Sequence, residues 1–200
     1  MSKLKIFFVR LGFYLSLRLR VYSTWSRIHR LLFDSVAKGA RLPTFKDFEE
    51  MVPFVRGFVW RPDSWIDLGD AICTPEMVWW RHLNTVDHKV GDCDEFAAFN
   101  SNVIANSIKA GVWRSPVKDP QFLTVGWLTA EGKASGHNVC LLNDGNGRFG
   151  YMDYGMPAFF GTKQQVVDAI RECYAGPGNV AAAWGVMTPG LAFVEAHWGE

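Results

Sequence analysis

The residues able to do chemistry fall in one short run, Gly91-Asp92-Cys93-Asp94-Glu95-Phe96-Ala97-Ala98-Phe99, and at two later positions, His137 and Asp153. A thiol, an imidazole and a carboxylate are the parts of a nucleophile, its general base and the base's orienter. Asp92 is a good helix N-cap, and Glu95 three residues on completes a capping box. The pattern predicts a helix with Cys93 in its first turn, running to Lys109-Ala110 and stopping at Gly111. A first-turn thiol feels unpaired N–H groups and the positive end of the helix dipole, and both favour the thiolate. The expectation is a Cys93 pKa below the free value of about 8.5, and faster alkylation than Cys73, Cys140 or Cys173. At about 100° per residue, Phe96, Ala97, Phe99, Val103, Ile104 and Ile108 share an arc that contains Cys93. The thiol therefore points at whatever the helix packs on. Asn100 and Ser107 share that arc and need buried partners.

Gly136-His137-Asn138-Val139-Cys140-Leu141-Leu142 reads as a strand, and Arg148 to Tyr154 as a second. Asn143-Asp144-Gly145-Asn146-Gly147 between them is a hairpin signal. A loop centred on Gly145 sets Leu141 against Phe149, Val139 against Tyr151 and His137 against Asp153. Directly opposed side chains share a face, with Cβ atoms roughly 4.5–5.5 Å apart, close enough for a carboxylate to hold an imidazole. A slip by one residue would send them to opposite faces. The catalytic reading needs that face to look toward Cys93. The bland readings are a buried cysteine, a satisfied strand histidine and a solvated aspartate inside an aromatic strand, the last at odds with the depletion of Asp in strands.

The Gly91-Asp92-Cys93-Asp94-Glu95-Phe96-Ala97 helix start, followed by Gly136-His137 and then Asp153, resembles the nucleophile region of transglutaminase-like cysteine enzymes in the papain superfamily. The likeness is nearest to the bacterial transglutaminase-like cysteine proteinases and covers Phe58 to Tyr174. It implies a papain/transglutaminase-like core and a Cys93-His137-Asp153 triad for acyl transfer through a thioester, with peptide-bond hydrolysis favoured over glutamine cross-linking. It implies no cofactor and a peptide or protein substrate. No upstream residue matches the family's second oxyanion donor. Two alternatives stay open: a papain-superfamily amidase acting on cell-wall peptides, and a catalytically degenerate binding or structural module anchored by a basic N-terminus.

Positioning these residues takes helices first and a sheet after. Residues 4–33 read as one or two helices with Leu4, Phe8, Leu11, Leu15, Tyr22, Trp25 and Leu32 on one stripe. Thr44 to Val55 reads as a short helix capped by Thr44, and Thr74-Pro75-Glu76 starts another. Gln121 to Thr129 is a strand with Leu123, Val125 and Trp127 on one face. Gly161-Thr162 opens a helix that ends at Gly176-Pro177-Gly178, and two strands follow around Thr188-Pro189-Gly190. The fold class is α+β, with the nucleophile helix packed on an antiparallel sheet. Two units are read: a basic helical segment over 1–41 and the transglutaminase-like domain over 42–200.

Net charge is +1 over 200 residues, but its distribution is uneven. Residues 1–41 carry nine Lys/Arg against Asp34, a local +8, and the remaining 159 carry 12 basic and 19 acidic residues, −7. Such a helix either packs on its own domain with a solvated basic face or docks on an anionic membrane surface or a protein partner. No base-reading motif accompanies the charge, so nucleic acid is not a predicted partner. The apolar run from Ile6 to Leu19 is interrupted by Arg10 and Arg18, too short and too charged to span a bilayer. The four cysteines have neither C-x-x-C nor zinc-site spacing. A nucleophilic thiol suits a reducing, cytoplasmic compartment, membrane-peripheral if the basic segment binds lipid. Asp92 and Asp94 with Asp70 match no cation loop, and a capping role needs no metal.

Overall fold

The computed structural model describes residues 3–18, 40–60, 74–84 and 89–199. In chain order the elements are α1 (Lys3–Arg18), α2 (Phe48–Val55), β1 (Val59–Trp60), α3 (Pro75–Asn84), β2 (Lys89–Gly91), α4 (Cys93–Lys109), β3 (Gln121–Leu128), β4 (Ala134–Asn143), β5 (Phe149–Met152), β6 (Ala158–Phe160), α5 (Lys163–Tyr174), β7 (Val180–Met187) and β8 (Phe193–Trp198). Among the described residues this is an α+β fold of five helices, with a six-stranded antiparallel sheet in the order β6-β5-β4-β3-β7-β8. β1 and β2 form a separate parallel pair leading into α4.

Strand alternation splits the core into two layers. Leu123, Val125, Trp127, Val139, Leu141, Trp184 and Val186 turn to one face and pack with Val166, Val167 and Ile170 of α5. Cys140, Leu142 and Met152 turn to the other, against Phe96, Phe99, Val103 and Ile104 of α4 and beyond them Phe48, Met51, Val52 and Val55 of α2. Both faces of the central strands are thus covered, which is why 122–128 and 139–142 are almost wholly apolar.

Several expected starts hold. Thr74 accepts from Met77 N at the head of α3. Thr162 and Gln165 close a capping box on α5. The head of α2 differs: its N-cap is Asp47, which accepts from Glu50 N at 2.9 Å, and not Thr44. Asp47 satisfies the Glu50 N–H, a first-turn donor that Thr44 is too far upstream to reach, and the Glu50 carboxylate accepts from Lys46 N before the helix.

The apolar stripe of α1 is also turned around. Phe13 lies over Gly126 and Gly136, where any Cβ on Gly126 would meet its ring. Arg10 Nε donates to Ala181 O at 2.8 Å, and Phe7 and Tyr14 flank Trp198 at 6.0 and 5.6 Å. The helix therefore lies on the α4 face of the sheet, over β7 and β8. Leu4, Phe8 and Leu15 of the apolar stripe point outward, against the alternative in which the stripe packs on its own domain. Sheet glycines admit an aromatic ring more closely than a leucine row, and Arg10 finds a carbonyl there. Tyr22, Trp25, Leu32, Cys73, Asp70 and the turn at 61–63 lie outside the described residues.

Candidate functional site

The head of α4 is built as its sequence predicts. The Asp92–Glu95 capping box is closed in both directions, with Asp92 N donating to Glu95 Oε2 at 3.1 Å and Asp94 N to Asp92 Oδ1 at 3.0 Å. Gly91 has φ +154°, and a Cβ there would collide with the Glu95 side chain as it folds back. The helix ends at Ala110 before Gly111, in the left-handed region at φ +72°. The buried polar residues of its inner face find partners. Asn100 Nδ2 donates to Asp153 O at 3.0 Å, and Ser107 Oγ accepts from Phe45 N while donating to Val103 O.

The thiol at that helix head meets an acid and an amide. Cys93 Sγ lies 3.6 Å from Asp94 Oδ1 and 3.9 Å from Asn138 Nδ2, and Asn138 Nδ2 itself donates to Asp94 Oδ1. Burial, then the carboxylates of Asp94 and Asp92, push the Cys93 thiol far above its ordinary value. The Asn138 backbone N–H and side-chain amide pull it down by less. This reverses the expected depression. The capping carboxylates that start the helix also stand beside the sulfur, and repulsion plus desolvation outweighs the helix dipole. Asp92, Cys93 and Asp94 present donor atoms within 4.8 Å of one another. Asp92 is engaged by the capping box and Asp94 by Asn138, so both have structural work without a metal.

The imidazole and its carboxylate come together, though not by the expected register. Leu141 pairs with Tyr151 and Cys140 with Met152, so the hairpin is centred on Asn146. Asp144 N donates to Arg148 O at 3.2 Å, and Asp144 Oδ1 accepts from both Asn146 N and Arg148 N. Gly145 and Gly147 take left-handed φ of 76° and 85°. This five-residue loop displaces the pairing by two residues, which preserves facing because the side-chain period is two. β5 ends at Met152, one residue before Asp153. Past the strand end, Asp153 Oδ2 reaches His137 Nε2 at 2.9 Å, with both side chains buried. Tyr174, the last residue of α5, stacks on the His137 ring at 3.9 Å and donates its hydroxyl to the same Asp153 oxygen. Burial and Asp153 raise the Tyr174 pKa, so the hydroxyl stays a donor.

The facing is the main correction. His137 alternates with Val139 and Leu141, whose side chains pack on α5, while Asn138 alternates with Cys140 and Leu142 toward α4. The polar contacts of Sγ come from Asp94 and Asn138, and those of the imidazole from Asp153. Cys93 and His137 thus lie on opposite sides of β4, offset by one residue. β5 pairs only with residues 140–143, so the His137 end of β4 has no β5 neighbour, and Asp153 turns into that gap.

Two site residues escaped the sequence reading. Asn138 is adjacent to His137, and strand alternation alone would have assigned it to the α4 face once the packing side was known. Tyr174 closes a helix far along the chain, and no local pattern couples it to His137. Compared with models of known families, with characterised proteins and with solved structures, the chain matches none.

Proposed function

We propose that the chain is a thiol-dependent acyl-transfer enzyme of transglutaminase-like type, with a papain-like core, acting as a cysteine peptidase on peptide or protein amides in a reducing, cytoplasmic compartment. The observation that carries the reading is the buried His137–Asp153 pair at 2.9 Å, one strand position from the residue whose amide lies beside Cys93 Sγ. Asp153 holding Nε2–H leaves Nδ1 as the proton acceptor of the neutral imidazole. Cys93 is the nucleophile. Nδ1 takes the thiol proton as sulfur bonds to the amide carbon, and returns it to the leaving amine; water then releases the acyl group from the thioester. The Cys93 backbone N–H and the Asn138 amide are the donors nearest the developing oxyanion. Catalysis requires the imidazole to leave its stack on Tyr174 and pass the open edge of β4 to reach the sulfur. The arrangement described is then a resting one, with the thiol protonated.

A second reading is favoured by the facing of His137. A thiol held protonated between carboxylates, with Asn138 in the place a base would take, suits a binding or structural module of the same ancestry. Iodoacetamide labelling with mass spectrometry separates the two. In the enzyme, His137→Ala slows Cys93 labelling at neutral pH; in the module it leaves the rate unchanged.

A further inference from the structure

α1 has an inner side fixed to the sheet and an outer side that is apolar. Arg10, Phe13 and Tyr14 hold the inner side through Ala181, Gly126 and Trp198. On the outer side Leu4 is 65%, Phe8 59% and Leu15 40% exposed, with Leu11 between them half-buried. Positions 4, 8, 11 and 15 fall within an arc of about 60° on a 100° wheel. Exposed Lys5 lies beside this row, and exposed Lys3 at the helix start lies on the side of Arg10 and Trp198. Three large apolar side chains aligned outward are not scattered surface residues, and such a row marks a contact surface.

We propose that this outer face of α1 docks on an anionic membrane surface, with the leucines and Phe8 entering the acyl boundary and the lysines at the headgroups. Charge selects this occupant. Residues 1–41 carry +8 and the remaining chain −7, so an anionic bilayer attracts this segment and repels the rest. A second copy would bring two +8 segments together. No helix among the described residues is long and apolar enough to cross a membrane, so the mode is interfacial. The inner contacts keep the sheet and the site attached to the docked helix, so binding would hold the catalytic domain at the surface.

The test is co-sedimentation of the full chain with vesicles of phosphatidylglycerol and phosphatidylcholine, against phosphatidylcholine alone, at low and high salt. The expected result is salt-sensitive binding to the anionic vesicles. Leu4→Gln with Phe8→Gln lowers partitioning by at least about tenfold through lost apolar burial. Lys3→Glu with Lys5→Glu lowers it by about fivefold per charge and flattens the salt dependence. Circular dichroism melts of both variants should match the parent, because the substituted side chains are exposed. Absence of vesicle binding overturns the proposal. So does unchanged binding of the Leu4→Gln/Phe8→Gln chain, a dimer in light scattering that this variant dissolves, or a lowered melting temperature, which would mean the chain itself covers the face. None of these outcomes depends on whether Cys93 is catalytic.

Discussion

Two polar clusters sit on either side of β4, and they are made differently. The Cys93 cluster is mostly local: Asp92, Cys93, Asp94 and Glu95 are consecutive, and Asn138 joins them from β4. The His137 cluster is wholly long-range, joining β4, the turn after β5 and the end of α5. The local cluster is fixed by capping geometry, and burial, followed by its carboxylates, keeps the thiol protonated. The long-range cluster has a single carboxylate oxygen that accepts from both an imidazole and a phenol. Local sequence can therefore position a thiol without lowering its pKa. Activation depends on what the sheet delivers to the sulfur.

The comparison breaks most decisively through turnover. On the proposed mechanism, in which the two act as a unit, Cys93→Ala and His137→Ala should each lower amide hydrolysis by about 10⁴-fold or more. Asp153→Asn should cost about 10²–10⁴-fold by misorienting the imidazole. If Cys93→Ala matters and His137→Ala does not, the clusters are chemically independent.

A smaller effect tests the electrostatics of the Cys93 side. With the thiol held high, iodoacetamide should label Cys93 more slowly than exposed Cys173 at pH 7, and its rate should still be rising at pH 9. Asp94→Asn removes the nearest repelling charge and should speed labelling at neutral pH, by about tenfold for each unit that the thiol falls. Fast labelling of the parent at pH 6 would mean that an imidazolium already neighbours the sulfur.

Stability should follow pH with a definite sign. Buried Cys93 and Cys140 are both pushed up, Cys93 by desolvation and nearby carboxylates and Cys140 by desolvation alone. Above the unfolded thiol value of about 8.5 the unfolded state loses protons that the native state keeps. Unfolding free energy from urea titrations should hold level below that pH and decline above it. Cys93→Ser should blunt the decline if the folded thiol is as perturbed as its surroundings imply.

The smallest effect sharpens the His137 side. Tyr174→Phe keeps the stack and removes one bond to Asp153, whose Oδ1 has no hydrogen-bond partner among the described residues. It should cost about 1–2 kcal/mol in urea unfolding. If the stack gates access of His137 to Cys93, Tyr174→Ala should raise the Cys93 labelling rate while Tyr174→Phe leaves it unchanged.

The sequence by itself determined what depends on neighbours within four residues or on strand periodicity. The start and end of α4, the capping box of α5, the strand faces of Leu123, Val125 and Trp127, and the nearness of His137 to Asp153 are of this kind. Their causes are backbone donors seeking local acceptors and a side-chain period of two, and both are written in order along the chain. Even the two-residue error in the hairpin left the His137 facing relative to Asp153 intact. Only the tertiary structure decided which side of the sheet α4 would cover. That choice puts Asn138, and not His137, against Cys93, and it follows from where Cys140, Leu142 and Met152 find the phenylalanines of α4. From Val139 to Leu142 β4 is apolar on both faces, and His137 and Asn138 put a polar group on each, so its alternation carries no mark of which face meets which helix. The same holds for α1, where a contact between Phe13 and two sheet glycines more than a hundred residues away outweighed an apolar stripe legible in the helix alone.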